Sequence, residues 1–90
     1  MKRVHIFVKG IVQGVFFRHF TSQQAKQMGI KGWVRNLPDG RVEMVCEGDE
    51  DSIEKIIAWS RRGPQGAVVE DIEVRYEEYK NEFTDFKIIR

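Results

Sequence analysis

The segment GIVQGVFFR, residues 10–18, holds the residues whose types and spacing best suit a chemical task. Glycines at positions 10 and 14 permit a tight loop in which successive backbone N–H groups converge. Arg18 adds a planar fork of charged donors that can hold two phosphate oxygens at once. We interpret the segment as a cradle for a small phosphate-bearing anion. Read alone, it is equally compatible with a strand, a glycine turn and a solvated arginine.

The loop matches neither of the common phosphate-binding motifs. It lacks the Lys-Ser/Thr ending of a P-loop, and its glycines do not follow the dinucleotide pattern G-x-G-x-x-G. A helix is predicted to begin at Phe17, so its first-turn amides and the positive end of its dipole would face a bound phosphate. Anion binding would therefore depend on backbone amides and Arg18.

Asn36 is the second candidate, in the segment RNLPDG, residues 35–40. An asparagine just before a turn commonly shapes that turn, and this interpretation stays open. Its side-chain amide also offers both a donor and an acceptor, which are the groups needed to position a water molecule. If the strand that carries Asn36 lies near the phosphate loop, this side chain can orient water toward it.

Other catalytic sets find little support in the sequence. His5 is expected on the open face of the first strand and His19 early in a helix, where each is better read as solvated or packed than as a base. Neither has a serine or cysteine partner at a recognisable spacing, so a nucleophilic triad is unsupported. Cys46, the only cysteine, fits a buried structural thiol. Acidic clusters at 47–51 and 70–73 are interpreted as helix capping and solvated charge.

The elements that position these residues follow from periodicity. Alternation predicts strands at 4–12, 31–37, 41–47, 68–78 and 84–89. Helical spacing predicts one helix at 17–28 and a second that follows Asp49 and ends at Arg62. The order is β-α-β-β-α-β with a further terminal strand. It predicts a ferredoxin-like α+β fold, a split β-α-β arrangement with an antiparallel sheet and two helices on one face.

Helix ends and buried stripes are also predicted. Asp49 is the expected N-cap of the second helix, and Gly63 followed by Pro64 should end it. That helix should bury Ile53, Ile56, Ile57 and Ser60. The first helix should bury a stripe formed by Phe17, Phe20, Gln24, Ala25 and Met28.

Length and composition limit the classes of protein. Ninety residues make one domain, and we expect residues 1–90 to form it. The net charge of +1 is too balanced for general nucleic-acid affinity. No apolar run reaches signal-peptide or membrane-spanning length, so we expect a cytoplasmic protein with no membrane partner. We also expect a monomer.

Two segments together resemble the signatures of the acylphosphatase family. GIVQGVFFR is similar to the first signature at Gly10, Val12, Gln13, Gly14, Val15, Phe17 and Arg18. GWVRNLPDGRVEMVCEG is similar to the second at Gly32, Val34, Asn36, Gly40, Val42 and Gly48. The resemblance extends along the whole chain. Ile11 stands where many relatives have a basic or small polar residue, which leaves substrate preference open.

The resemblance implies an enzyme that hydrolyses the carboxyl–phosphate bond of small acyl phosphates to a carboxylate and inorganic phosphate. It implies Arg18 and Asn36 as catalytic residues, with Asn36 orienting the attacking water. It assigns phosphate binding to Gln13, Gly14, Val15, Phe16, Phe17 and Arg18. It also implies that no metal, cofactor or covalent intermediate takes part, and that the phosphate itself helps to take up the proton of the water.

Two other classes of protein share features with this sequence. RNA-recognition modules have the same predicted topology, but Ile11, Val12 and Gln13 replace the residues needed for base stacking, and this segment lies on the first strand rather than the third. A non-catalytic domain that binds phosphate or an acyl phosphate is the alternative function. Such a domain needs Arg18 but has little use for an asparagine that orients water.

Overall fold

The computed structural model describes all residues from 1 to 90 and contains two helices and a five-stranded sheet. The elements are β1 (Lys2–Ile11), α1 (Phe17–Gln27), β2 (Lys31–Asn36), β3 (Val42–Gly48), α2 (Glu50–Arg62), β4 (Val68–Glu77) and β5 (Phe86–Ile88). This order confirms the predicted ferredoxin-like succession with a terminal strand. Neither helix is long and apolar enough to cross a membrane.

The sheet has the strand order β4-β1-β3-β2-β5 and is mixed, not purely antiparallel as predicted. β1 pairs antiparallel with β3 and β4, and β2 pairs antiparallel with β3, but β5 runs parallel to β2. The reason is the path of residues 78–85, which cross the end of the sheet where β2 also begins. There the amide of Gly32 donates to the carbonyl of Asp85 at 3.0 Å.

The core lies between the helices and one face of the sheet. Val4, Ile6 and Val8 of β1 alternate onto this face and are fully buried. The stripe predicted for α2 is confirmed, since Ile53, Ile56, Ile57 and Ser60 are all buried. Burying these side chains removes most of the apolar surface of α2 from water and holds the helix on the sheet.

The stripe predicted for α1 is partly wrong. Phe17 and Ala25 are buried as expected, but Thr21 takes the place between them, while Phe20 is 38% exposed. Thr21 can be buried because its hydroxyl donates to the carbonyl of Phe17 at 2.8 Å. A pattern of apolar residues does not predict the burial of a polar residue whose hydroxyl finds its hydrogen-bond partner within the same helix.

The predicted ends of α2 are confirmed. The Asp49 carboxylate accepts a hydrogen bond from the amide of Ser52 at 2.8 Å, as an N-cap does. Gly63, with φ +68°, ends the helix and donates to the carbonyl of Trp59. The hydroxyl of Ser52 also donates to the carbonyl of Met28, which joins the start of α2 to the end of α1.

The open face of the sheet carries interlocked charges instead of free apolar surface. His5 lies between two carboxylates, with Nε2 at 2.6 Å from Glu43 and Nδ1 at 3.1 Å from Glu77. Arg3 is buried and bonds to Glu47, Glu77 and Glu82. These pairs also hold residues 78–85 across the sheet end.

Glu47 is the most connected of these carboxylates. Burial alone would raise its pKa, but hydrogen bonds from the amides of Lys80 and Glu82 and from Arg3 together lower the pKa below the usual 4.5. A carboxylate with a lowered folded-state pKa adds stability above its unfolded pKa and loses that contribution as the pH falls. The Glu47 carboxylate therefore stabilises the position of residues 78–85 across the sheet end at neutral pH, and this stabilisation is lost in acid.

Replacing Glu47 with glutamine is expected to lower the free energy of unfolding by about 2 kcal/mol at neutral pH, because charged hydrogen bonds to two amides and a guanidinium are weakened. The difference in free energy of unfolding between wild type and Glu47→Gln should become smaller as the pH falls below 4.5, the ordinary pKa of a glutamate side chain. Urea unfolding at several pH values measures this difference. Glu78→Gln, at an exposed position, is the matched control, and a gap independent of pH would contradict this assignment.

Candidate active site

A cavity of about 440 Å³ lies where the loop after β1 meets the end of β2. The loop comprises residues 12–16 and leads directly into α1. The cavity is lined by Val12, Gly14, Phe16, Phe17, Arg18, His19, Asn36 and Ile88. Arg18 and Asn36, which are far apart in sequence, therefore face one space. A phosphate group would fill only part of it.

The backbone of the loop leaves its amides without protein partners beside this space. Gly14 and Phe16 both have positive φ, +78° and +62°, and Phe16 is the N-cap residue that directly precedes α1. The amides of Gly14, Val15 and Phe16 make no backbone hydrogen bond, and no side chain caps α1. The first-turn amides of the helix lack intrahelical partners as well. The result is a cluster of free N–H groups at the positive end of a helix dipole.

Phe16 is an unusual residue for this conformation. A bulky side chain at positive φ costs on the order of 1–3 kcal/mol, and Phe16 is also 74% exposed, so its own packing does not offset the strain. Gly14 is different, because a side chain there would meet nothing within 4 Å and only its backbone conformation calls for glycine. Strain at Phe16 is consistent with a loop shaped for binding rather than for packing.

Arg18 is half-buried in the first turn of α1, and its guanidinium is uncommitted. It makes no hydrogen bond and no ion pair with any protein group, although the chain has 14 acidic side chains and pairs other arginines with them. A free guanidinium beside free amides is a complete donor set for a phosphate.

Asn36 contributes the opposite kind of group. It lies at the end of β2, and its side-chain Oδ1 is buried with no hydrogen-bond partner. Buried polar atoms are almost always paired, so an unpaired acceptor in a residue that lines a cavity points to a role for this side chain beyond packing. The cavity lining thus combines donors for an anion with a side-chain amide that makes no hydrogen bond to the protein.

Comparison with known proteins agrees with this geometry. Residues 4–88 match the family model described as Acylphosphatase. The chain is 57% identical to an acylphosphatase of Pyrobaculum arsenaticum, over 99% of this chain and 95% of the relative, and 51% identical to one of Methylococcus capsulatus, over 100% and 98%. The solved structure of Bacillus subtilis acylphosphatase superposes with a TM-score of 0.96 at 34% identity, covering 100% of both chains.

The chain belongs to the acylphosphatase family. It is accordingly an enzyme, an acylphosphatase, and its substrates are acyl phosphates. The resemblance found in the two sequence segments is confirmed, and the alternative of a non-catalytic binding domain is not favoured.

Not every residue assigned to the site from sequence lines the cavity of this acylphosphatase. Gly14, Phe16, Phe17, Arg18 and Asn36 do. Val15 is half-buried against the core, so only its backbone amide belongs to the loop. The side chain of Gln13 turns away and donates to the carbonyls of Leu37 and Arg41.

Gly10 has a different task from the one expected. It lies within β1, at an irregularity in the pairing with β4, and a side chain there would come within 2.1 Å of the Val68 carbonyl. Close strand approach, not the curl of the phosphate loop, requires this glycine.

His19 and Ile88 were not predicted to lie at the site. His19 is exposed on the rim, one residue after Arg18, and its ring packs edge-on against Phe20 at 5.2 Å between centroids. Its place in the first turn of α1 is the signal that could have indicated it. Ile88 comes from β5, whose position beside β2 depends on long-range pairing.

The remaining reactive groups lie elsewhere. Cys46 is fully buried in β3, and burial raises the pKa of its thiol to about 12, so it stays protonated and unreactive. No group of three or more histidine, cysteine or acidic side chains is placed to hold a metal ion. His5 is engaged with carboxylates on the open face.

Proposed function

We propose that Arg18 and the backbone amides of residues 14–18 hold the phosphoryl group of a small acyl phosphate, while Asn36 orients the water that attacks phosphorus. The bond between phosphorus and the acyl oxygen breaks, and the products are a carboxylate and inorganic phosphate. One observation carries the proposal: Asn36, whose buried Oδ1 has no protein partner, lines the same cavity as the unpaired guanidinium of Arg18. Because the side-chain amide of Asn36 offers both a donor and an acceptor, it can hydrogen-bond the water and turn the oxygen lone pair toward phosphorus.

Positioning and charge stabilisation are what this reaction demands. In phosphoryl transfer the negative charge is spread over the equatorial phosphate oxygens, and fixed donors stabilise it without rearranging. The loop amides and Arg18 are such donors. The leaving group is a carboxylate, a weak base that needs no general acid.

The proton of the attacking water goes to an oxygen of the phosphate. The cavity lining contains no carboxylate, and its only titratable side chain apart from Arg18 is that of His19 on the rim. Phosphate oxygens lie within reach of the attacking water in any in-line arrangement, so the substrate supplies the acceptor. Gln13, assigned to phosphate binding by resemblance, would contribute through its backbone only, since both side-chain N–H groups are used elsewhere.

Hydrolysis of benzoyl phosphate in the presence of EDTA tests this mechanism. Turnover should continue without free metal, inorganic phosphate should inhibit competitively, and kcat should change little between about pH 5 and pH 8. His19→Gln should keep kcat within about threefold of wild type, because no step needs a rim imidazole. A steep rise in kcat near the ordinary imidazole pKa, lost in His19→Gln, would show that His19 is the base.

We further propose that residues 1–90 act as one domain in a monomeric, cytoplasmic enzyme with no nucleic-acid partner. Two aromatic rings of the open face that could stack on bases are covered by arginines. Arg41 and Arg75 lie over Phe7 at 4.9 and 5.4 Å, and Arg35 lies over Trp33 at 5.3 Å. The ion pairs also make this face polar, which favours its contact with water over contact with a second copy of the chain. Sedimentation analysis measures the oligomeric state.

A further inference from the structure

The side chain of Gln13 forms a bridge from the phosphate loop to the hairpin that carries Asn36. Its Nε2 donates to the Leu37 carbonyl at 2.8 Å and to the Arg41 carbonyl at 3.0 Å. Leu37 follows Asn36 directly, and Arg41 directly precedes Val42, the residue that pairs with Asn36 in β3. One amide nitrogen therefore holds both strands of the hairpin at the level of Asn36.

The two hydrogen-bond partners of the Gln13 side chain determine the orientation of its amide group. Both neighbours are carbonyl oxygens, so only the NH₂ end of the amide can face them, and both of its hydrogens are used. The two carbonyls already close the turn, since the Leu37 amide donates to the Arg41 carbonyl at 2.8 Å and the Gly40 amide donates to the Leu37 carbonyl at 3.1 Å. Gln13 therefore attaches to an ordered turn, not to a free end.

The loop has no other hydrogen bond of this kind. Among residues 12–16, the remaining hydrogen bond runs from the Phe20 amide to the Phe16 carbonyl, at the start of α1 itself. Asn36 likewise has no protein partner that holds its Oδ1 in place. The relative position of the loop amides and the Asn36 side chain thus depends on packing and on the two hydrogen bonds of Gln13.

We propose that Gln13 is a positioning residue that sets Asn36 in register with the phosphate loop. This inference rests on the proposed function, in which water held by Asn36 attacks phosphorus held by the loop. Displacing two reacting groups by about an ångström can cost on the order of 10²-fold in rate while ground-state binding changes little. Gln13 therefore acts on kcat through Asn36, without touching the substrate through its side chain.

The test is a double-mutant cycle with Gln13→Met, Asn36→Ala and the double variant. Methionine keeps the length of the side chain and removes both N–H donors. Gln13→Met alone should lower kcat about 10-fold to 10²-fold, and Ki for inorganic phosphate should stay close to wild type. In the Asn36→Ala background the same change should lower kcat by about twofold or less, because its target is already gone.

Gln23→Met is the matched control, since the side chain of Gln23 is exposed on α1 and forms no hydrogen bond; it should keep wild-type kinetics. Multiplicative losses of kcat in the double variant would overturn the inference, because Gln13 would then act independently of Asn36. A rise in Ki for phosphate of similar size in both backgrounds would overturn it too, since Gln13 would be a phosphate ligand. Gln13→Ala repeats the cycle if methionine disturbs folding.

Amide hydrogen exchange provides a readout that does not need turnover. Inorganic phosphate bound at the loop should slow exchange of the Leu37 and Gly40 amides in wild type, and this protection should disappear in Gln13→Met. If wild type protects these amides but hydrolyses no acyl phosphate, the proposed function fails while the link through Gln13 stands. If wild type hydrolyses the substrate and Gln13→Met keeps the protection, the link fails while the function stands.

Discussion

Replacing Arg18 with alanine is expected to lower kcat/KM for an acyl phosphate by about 10²–10³-fold, equivalent to roughly 3–4 kcal/mol. The guanidinium is the only arginine or lysine group that lines the cavity, and it has no protein partner to satisfy. Its loss removes a charged donor both from bound phosphate and from the transition state. Inhibition by inorganic phosphate should weaken in parallel. Steady-state kinetics with benzoyl phosphate measures both effects.

Two further variants sharpen this prediction. Arg18→Lys keeps the charge but loses the planar fork, so it should fall between wild type and Arg18→Ala. Arg62→Ala removes an exposed arginine at the end of α2, away from the cavity, and should leave the kinetics unchanged. If Arg18→Ala kept more than about a tenth of the wild-type kcat/KM, the guanidinium could not be the principal phosphate ligand.

Replacing Asn36 with alanine should lower kcat by a comparable factor, about 10²–10³-fold, but by a different route. The side chain orients water in the reaction and does not hold the ground-state phosphate, so Ki for inorganic phosphate should stay near that of wild type. The melting temperature should not fall, because the variant removes a buried acceptor that has no protein partner. Kinetics, phosphate inhibition and thermal unfolding of the same preparations provide the three measurements.

The two variants should differ in their effect on phosphate affinity. Arg18→Ala should lose phosphate affinity and rate together, whereas Asn36→Ala should lose rate alone. Equal losses of phosphate affinity and kcat in Asn36→Ala would show that Asn36 supports the loop instead of orienting water. A lowered melting temperature would indicate the same structural role.

Local chemistry made much of the fold predictable. Asp49 caps the start of α2 and Gly63 ends it, and each makes its hydrogen bond to a residue within about one helical turn of itself. Both positions behave as expected. The alternation of β1 and the apolar stripe of α2 report burial directly. The hairpin at residues 37–40 followed from the conformational preferences of its proline, aspartate and glycine.

Features that depend on distant main-chain groups could not be predicted in this way. β5 lies parallel to β2 because residues 78–85 cross the sheet end, where Glu47 accepts from the amides of Lys80 and Glu82. The partners of Gln13 are carbonyls 24 and 28 residues away, which no pattern of side chains reveals. The resemblance assigned Gln13 to phosphate binding and gave no indication that its side chain bonds to the protein.

The placement of Arg18 and Asn36 in one cavity was predictable only in part. Each residue had an ordinary structural explanation when taken alone, as a surface charge or as a turn residue. Only the antiparallel pairing of β1, β3 and β2 brings the end of β2 beside the loop after β1. The unpaired state of both side chains is a property of the folded chain and is not readable from residue type.

The most direct test of the account follows the oxygen atom of the attacking water. Benzoyl phosphate is hydrolysed in ¹⁸O-labelled water containing EDTA, and the label is located in the products by mass spectrometry. Attack by water oriented by Asn36 on a phosphorus held by the loop and Arg18 places the label in inorganic phosphate and none in benzoate. Label in benzoate would show that water attacks the acyl carbon, and the assignment of Arg18 and Asn36 would be contradicted.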